Sequence, residues 1–306
     1  MLFFPSLFVK VIFGSFILWI VLSTCLPQLL VKYTNSEVRT NRFTSDSYPS
    51  TSITFPHQLP IHNSTLYFVI GHPDDEVMFF SPSIIELGKP KYNNDIHLVC
   101  FSNGDAVDPS MGSIRSNELL HSATILGVPR NKVTILSNYK DGMNITWDHA
   151  KINNSLKQII GTSAKDLVLI TFDESGVSKH PNHISLYHGC KQFYKSFYSK
   201  NKSVSLYVLK SLNFWEKYSF TLLTNVELFV DYLSKYFISN ILKININISF
   251  FQTTANSSVK IYSDLNMLSV SYAAMGYGHF SQMVWFRYAW LVLSRYLTFN
   301  HLIQID

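Results

Sequence analysis

Gly71-His72-Pro73-Asp74-Asp75-Glu76 directly follows Leu66-Tyr67-Phe68-Val69-Ile70, and this junction decides the fold. The aromatic and β-branched run predicts a buried strand. Pro73 biases His72 towards extended backbone. The strand therefore ends in an imidazole and two carboxylates, at the end where open α/β sheets bind ligands. Far downstream, His180-Pro181-Asn182-His183 follows a second predicted strand at residues 167–172. Two His and one Asp form an N,N,O donor set that suits zinc and leaves a position open for water. The competing reading makes Asp74 and Asp75 first-turn helix residues favoured by the dipole. A second pair of imidazoles after a second strand favours the metal site. The residues alone leave open which of Asp74 and Asp75 is the ligand and which takes a proton from water.

Outward from this junction, strands and helices alternate. Strands are predicted at residues 65–70, 96–101, 133–136, 167–172 and 205–209, and helices at 76–87, 113–126, 148–160 and 182–197. Alternation with near-continuous apolar strands predicts an α/β fold, a mainly parallel sheet with helices on both faces. Residues 210–306 are less regular. Leu222, Val226, Phe229, Leu233 and Phe237 recur at helical spacing, with Glu227, Asp231 and Lys235 on another face. That is an amphipathic helix, lying against lipid or against the core. Residues 283–293 are apolar, contain Arg287 and are too short to span a bilayer.

Hydrophobic residues make up 47% of the 306 and charged residues 15%, an apolar balance for a water-soluble chain. The net charge of +5 fits a phosphate-bearing or anionic-membrane partner. No basic run or basic helix points to nucleic acid. The three cysteines, Cys25, Cys100 and Cys190, form no CxxC and imply no disulfide framework, which favours a reducing compartment.

Residues 11–31 carry no charge and are long enough to cross a bilayer. A cleaved signal peptide ending near Ser23-Thr24-Cys25 is the alternative, but the apolar stretch is long for one. Residues 1–32 are therefore expected to be a single transmembrane anchor, 33–63 a linker rich in Ser, Thr, Asn and Pro, and 64–306 the functional domain. Lys10 precedes the span, while Lys32, Arg39 and Arg42 follow it. By the positive-inside rule this places the domain in the cytosol. Six Asn-x-Ser/Thr sequons, at Asn63, Asn144, Asn153, Asn201, Asn247 and Asn256, are then unused.

His72-Pro73-Asp74-Asp75-Glu76, with Gly176-Val177-Ser178, His180, Asn182 and His183, resembles the PIG-L/LmbE-like deacetylase family. Ser102-Asn103-Gly104-Asp105-Ala106, Arg115 with Glu118, and His279, Ser281, Gln282, Trp285, Phe286 and Arg287 extend the likeness towards its eukaryotic branch. The resemblance covers about residues 65–295. It implies a Rossmann-like sheet, a zinc ion and hydrolysis of an acetamide on glucosamine. In the eukaryotic branch that glucosamine belongs to N-acetylglucosaminyl-phosphatidylinositol (GlcNAc-phosphatidylinositol) in the endoplasmic reticulum membrane. Bacterial members often carry Asp where Asn182 stands, so this chain has one carboxylate fewer at the site and no ligand fewer.

Carried over residue by residue, the resemblance makes His72, Asp75 and His183 the metal ligands and Asp74 the general base. His180 is then placed to stabilise the oxyanion, with a capping or exposed imidazole as the plainer reading. Arg115 either meets the substrate phosphate, held by Glu118, or simply pairs with Glu118. Asp105 and Asp141 offer sugar contacts, although turn chemistry alone explains them. His279 either reaches the pocket or is a core histidine. Asp173 either orients a ligating imidazole or caps a loop. Glu76 reads as a helix-start carboxylate. Two rival functions remain: deacetylation of another N-acetylglucosamine conjugate, and a non-catalytic membrane scaffold that keeps the metal for stability.

Overall fold

The computed structural model describes residues 3–29, 61–106, 108–161, 166–198, 204–232 and 258–305. Most of the expected linker, the sequons at Asn201, Asn247 and Asn256, and Leu233, Lys235 and Phe237 lie outside the described residues.

Seven strands form one sheet: β1 (Thr65–Ile70), β2 (Asp95–Cys100), β3 (Val133–Ile135), β4 (Leu167–Phe172), β5 (Val204–Leu209), β6 (Ser258–Tyr262) and β7 (Phe299–Ile305). Their order is β3-β2-β1-β4-β5-β7-β6. The first five are parallel, and β7 and β6 add antiparallel pairs. Central β1 and β4 bury every residue, which is why they read as unbroken apolar runs. Right-handed crossovers put helices from the two halves of such a sheet on opposite faces. Accordingly, His149–Ile160 and Pro181–Tyr198 pack on each other near β4 and β5. Ser81–Leu87 packs on Leu265–Ala273 elsewhere.

The chain leaves β1 towards β2 on one side, while β4 leads to β5 on the other. The β1/β4 junction is thus the topological switch point, where the strand ends open a crevice. The expected helix at 76–87 is two helices, Asp75–Met78 and Ser81–Leu87. Pro82 near the start of the second supplies a helix-opening φ where an interior Pro would break the ladder.

The C-terminal part is more regular than its sequence predicts, since β6 and β7 complete the sheet. Polar Asn300 and His301 obscure β7, yet both are buried. Asn300 accepts from Ser83 Oγ at 2.7 Å and donates to the Phe79 carbonyl at 2.9 Å. The N-terminal apolar helix includes Leu7–Leu29, long and apolar enough to cross a membrane. It is docked on this C-terminal part through fully buried Trp19.

Candidate metal centre and active site

The loop after β1 and the loop after β4 meet at the switch point. Asp75 Oδ2 accepts from the backbone N–H groups of Gly71 and His72, both at 2.9 Å, which fixes the carboxylate beneath the two imidazoles. A side chain at Gly71 would bring a Cβ to 3.0 Å from the His183 ring, so glycine lets that ring close in. His183 stacks on Phe172 at the end of β4, ring centroids 3.8 Å apart. Its Nδ1 faces the Gly176 carbonyl at 3.0 Å, which assigns the proton to Nδ1 and leaves Nε2 free. Gly176 sits at φ +60°, and its Cβ would fall 2.9 Å from the Ile184 nitrogen, so only glycine suits the turn. His72 Nε2 lies 3.0 Å from both Asp141 Oδ1 and Asn182 Oδ1, which leaves its Nδ1 free.

The free atoms converge. His183 Nε2 is 3.2 Å from Asp75 Oδ2 and 3.3 Å from His72 Nδ1, and His72 Nδ1 is 3.5 Å from Asp75 Oδ2. A tetrahedral ion with bonds of about 2.0–2.1 Å has edges of about 3.3 Å between its donors. The three atoms therefore form a face that fits such an ion. The ligand atoms of His72, His180 and His183 also lie within 4.8 Å of one another, so three imidazoles make a wider alternative set.

The electrostatics point the same way. Burial opposes charge on Asp75, but His183 and His72 outweigh it and hold the carboxyl well below its ordinary range. Burial opposes charge on His72 too, yet hydrogen bonds and charge from Asp141 and Asp75 lift it to about 10. Asp141 is lowered against its burial by His72. Two ionised carboxylates thus call for a cation between them, which a proton or a metal ion supplies. His180 goes the other way: burial first, then His183 and His72, push it down to about 4. It is neutral at pH 7. Its Nδ1 accepts from the Asn182 N–H at 3.3 Å, so its proton sits on Nε2.

Asp74 stands beside this face in a rarely populated conformation, φ 133°. Its N–H donates to Glu76 Oε2 at 3.1 Å. Fully buried Glu76 is held in turn by Ser122 Oγ and His279 Nε2, both at 2.5 Å. Arg287 donates to Asp74 Oδ2 at 2.5 Å, and Arg115 lies 3.5 Å from the same oxygen. The centre therefore sets N and O donors, a carboxylate held by arginine, and a neutral imidazole around one crevice. That is a set suited to hydrolysis of an acyl bond.

Comparison with known proteins identifies relatives of this chain. A family model described as PIG-L, GlcNAc-PI de-N-acetylase, matches residues 67–194. A probable N-acetylglucosaminyl-phosphatidylinositol de-N-acetylase of Schizosaccharomyces pombe is 35% identical over 77% of this chain and 85% of its own length. One from Dictyostelium discoideum is 37% identical over 79% and 96%. The chain belongs to the PIG-L family. It is an enzyme of the deacetylase class. The PIG-L fold also shows in a deacetylase triple mutant from teicoplanin biosynthesis, at 12% identity. That likeness covers 79% of this chain and 99% of the other, with a TM-score of 0.50.

Several expectations change in this PIG-L chain. Arg115 faces the loop after β1 and not Glu118. It donates to the Gly104 and Pro73 carbonyls and to Gln282, so it braces the loop that carries Asp74. Glu118 instead accepts from Ser281. His279 is fully buried against Glu76 and stands behind the site, not on its wall. The carboxylate on the His72 imidazole is Asp141, where a sugar contact was expected. Asp173, read as either an orienting carboxylate or a loop cap, accepts from Ser211, Ser175 and Gly176 and holds the turn before His180. Asn182 ties loops together, since its Nδ2 donates to the Ile145 carbonyl while its oxygen faces His72 and the Gly142 N–H. Asp105 lines a cavity of about 340 Å³ with Ser137, Asn138, Tyr139 and Lys140. Arg287 was missed as a site residue, although its motif was visible. Nothing in the spacing tells that a residue 213 positions away reaches Asp74.

Proposed function

We propose that this enzyme hydrolyses the acetamide of N-acetylglucosaminyl-phosphatidylinositol, releasing acetate and leaving glucosaminyl-phosphatidylinositol, an early step of glycosylphosphatidylinositol-anchor biosynthesis. The substrate is that in the names of its relatives. The observation that carries the reading is the donor face of His72, Asp75 and His183 beside Asp74. These three residues hold a divalent cation, for which we propose zinc, because the donor set and its edges fit that ion. A cation bound there acidifies water and polarises an acyl oxygen.

The chain's own groups do the rest. Asp74 takes the proton from the attacking water and returns it to the leaving amine. Arg287 holds the Asp74 carboxylate in place. His180, neutral with its proton on Nε2, donates to the oxygen that gains charge as the carbonyl becomes tetrahedral. Asp141 and Gly176 fix the ring positions of His72 and His183. Asp105, on the neighbouring cavity, contacts sugar hydroxyls. The apolar N-terminal helix holds the enzyme to the endoplasmic reticulum membrane in a single pass, with the domain on the cytosolic side. Supporting this are its length and the basic residues after it.

The test is acetate release from this glycolipid by the purified full chain, before chelation, after it, and after zinc return. Release should stop and recover. An enzyme with full metal occupancy that leaves the lipid intact overturns the reading.

A further inference from the structure

The helix Thr221–Tyr232 is built inside out for a helix facing water. A water-facing amphipathic helix hides its apolar side and shows its polar side. Here Thr221, Thr224, Asn225, Glu227 and Asp231 are all buried, while Leu222, Val226 and Phe229 are 43%, 37% and 59% exposed. The N-terminal helix has the same inversion. Ser15, Trp19 and Ser23 face the protein, and Leu7, Phe13, Ile17, Leu18 and Val21 face outwards.

The two helices lie side by side. Ser15 Oγ meets Thr221 Oγ1 at 2.8 Å, the Ser15 carbonyl accepts from Asn225 at 2.8 Å, and the Leu22 carbonyl accepts from Tyr232 at 2.9 Å. These bonds flank the middle of the Leu7–Leu29 span. A span of 23 residues is about 35 Å long, close to the hydrocarbon thickness of about 30 Å. Its middle lies deep in the hydrocarbon, so any helix bonded there shares that depth. At 12 residues and about 18 Å, Thr221–Tyr232 cannot cross on its own. A third helix, Trp285–Leu293, extends the surface towards the site. Its Trp290 packs in the cluster around Trp19, while Trp285, Tyr288 and Val292 are 82%, 58% and 51% exposed. Arg287 of the same helix reaches Asp74.

We infer that the outward faces of these three helices form one surface embedded in a phospholipid bilayer. The domain is then sunk into the bilayer beside its span, not tethered below it. The bilayer is the occupant because the outward side of the 221–232 helix is hydrocarbon throughout and is hydrogen-bonded flank to flank to the candidate span. Buried Glu227 and Asp231 meet the condition for such depth, since Lys260 lies 3.0 and 3.1 Å from them. Trp285 and Tyr288, with one apolar body and one polar edge, suit the headgroup level and bring Asp74 to it. The benefit to catalysis rests on the glycolipid reading above; the surface itself does not.

The test places a fluorophore at Phe229→Cys, Trp285→Cys or Lys157→Cys in the full chain with Cys25→Ser. Cys100 and Cys190 are buried, and Lys157 is exposed on a distant helix. In phosphatidylcholine vesicles, acyl-chain nitroxide lipids should quench the Phe229→Cys label several-fold more than aqueous iodide does. The Lys157→Cys label should show the reverse, and Trp285→Cys should respond most to a headgroup nitroxide. A Phe229→Cys label as open to iodide as Lys157→Cys overturns the surface. The triple variant Leu222→Lys, Val226→Lys, Phe229→Lys should lose at least about tenfold in activity on vesicle-borne glycolipid and stay within about twofold on a short-chain soluble analogue. Equal activity on vesicles also overturns it. Labels in lipid with no glycolipid hydrolysis uphold the surface and sink the substrate reading. Labels in water with hydrolysis intact do the opposite.

Discussion

Two of the buried charged clusters among the described residues differ in one respect. In the C-terminal part, Lys260 bridges Glu227 and Asp231 at 3.0 and 3.1 Å, Tyr262 donates to Asp231 at 2.6 Å, and Arg295 approaches Glu227 at 3.8 Å. That cluster carries its own cations. At the switch point, Asp75 is equally enclosed and Asp141 mostly so, their side chains 3% and 12% exposed, but among the described residues only imidazoles and backbone N–H groups bond to them. Buried charge left without a fixed counter-charge is costly. A fold that retains it leaves room for a cation that comes from outside. The balanced cluster is architecture, and the unbalanced one is a site.

The largest expected effect tests the unbalanced cluster. Asp74→Asn keeps the donor face and removes the proposed base. Acetate release should fall by about 10²–10⁴-fold, with metal content measured by atomic absorption unchanged. Lost metal would move Asp74 into the ligand set and redraw the comparison.

The balanced cluster comes next. Lys260→Met leaves Glu227 and Asp231 with Arg295 as the remaining close cation. Breaking a buried pair by removing one partner costs about 3–5 kcal/mol. Denaturant unfolding in detergent should show that loss, with turnover per folded molecule and metal content both intact. A variant that also lost metal would mean that the two clusters are coupled across the sheet.

A smaller effect separates the ligands from what holds them. Asp141→Asn keeps a hydrogen-bond acceptor near His72 but removes the charge. Metal affinity should weaken by about 10–100-fold, read by competition with a chelating dye. An unchanged affinity would leave Asn182, which faces the same Nε2 at 3.0 Å, as the sole orienting group.

These two carboxylates also mark where sequence reading stops. The parallel half was legible because β1 and β4 bury all their residues and so read as unbroken apolar runs. His72 follows β1 by two residues and His183 follows β4 by eleven, and strand ends at a switch point converge. Which acid turns towards His72 was not legible. Asp141 and Asp173 both follow strands, and the choice between them depends on how residues 141–145 fold against Asn182. β6 and β7 were hidden for another reason. Antiparallel additions at a sheet edge need no long apolar run, and polar Asn300 and His301 are buried there. The helix at Thr221–Tyr232 was visible by period, but period cannot say which side faces in. Only the packing of Ser15 and Lys260 against its polar side decides that.

The smallest effect concerns a third buried charge, outside both clusters. Glu86 is fully buried, with Lys89 Nζ at 2.6 Å, Lys91 Nζ at 3.2 Å and the Tyr92 hydroxyl at 2.8 Å. Burial raises its pKa, but Lys89 and Lys91 outweigh burial and bring it below its ordinary 4.5. A carboxyl lowered in the folded state stabilises the fold fully above its unfolded pKa. That contribution disappears as pH falls through the folded one. Glu86→Gln should therefore cost about 1–3 kcal/mol at pH 7. The gap from wild type should close as pH drops below 4.5, because the wild type then sheds the same interaction. Unfolding curves at pH 7 and below pH 4 measure both ends. A gap that stays constant would show that shape, not charge, holds this residue. Self-supplied cations would then be no sign of an architectural cluster, and the contrast between Lys260 and the site at His72 would have to rest on the donor geometry alone.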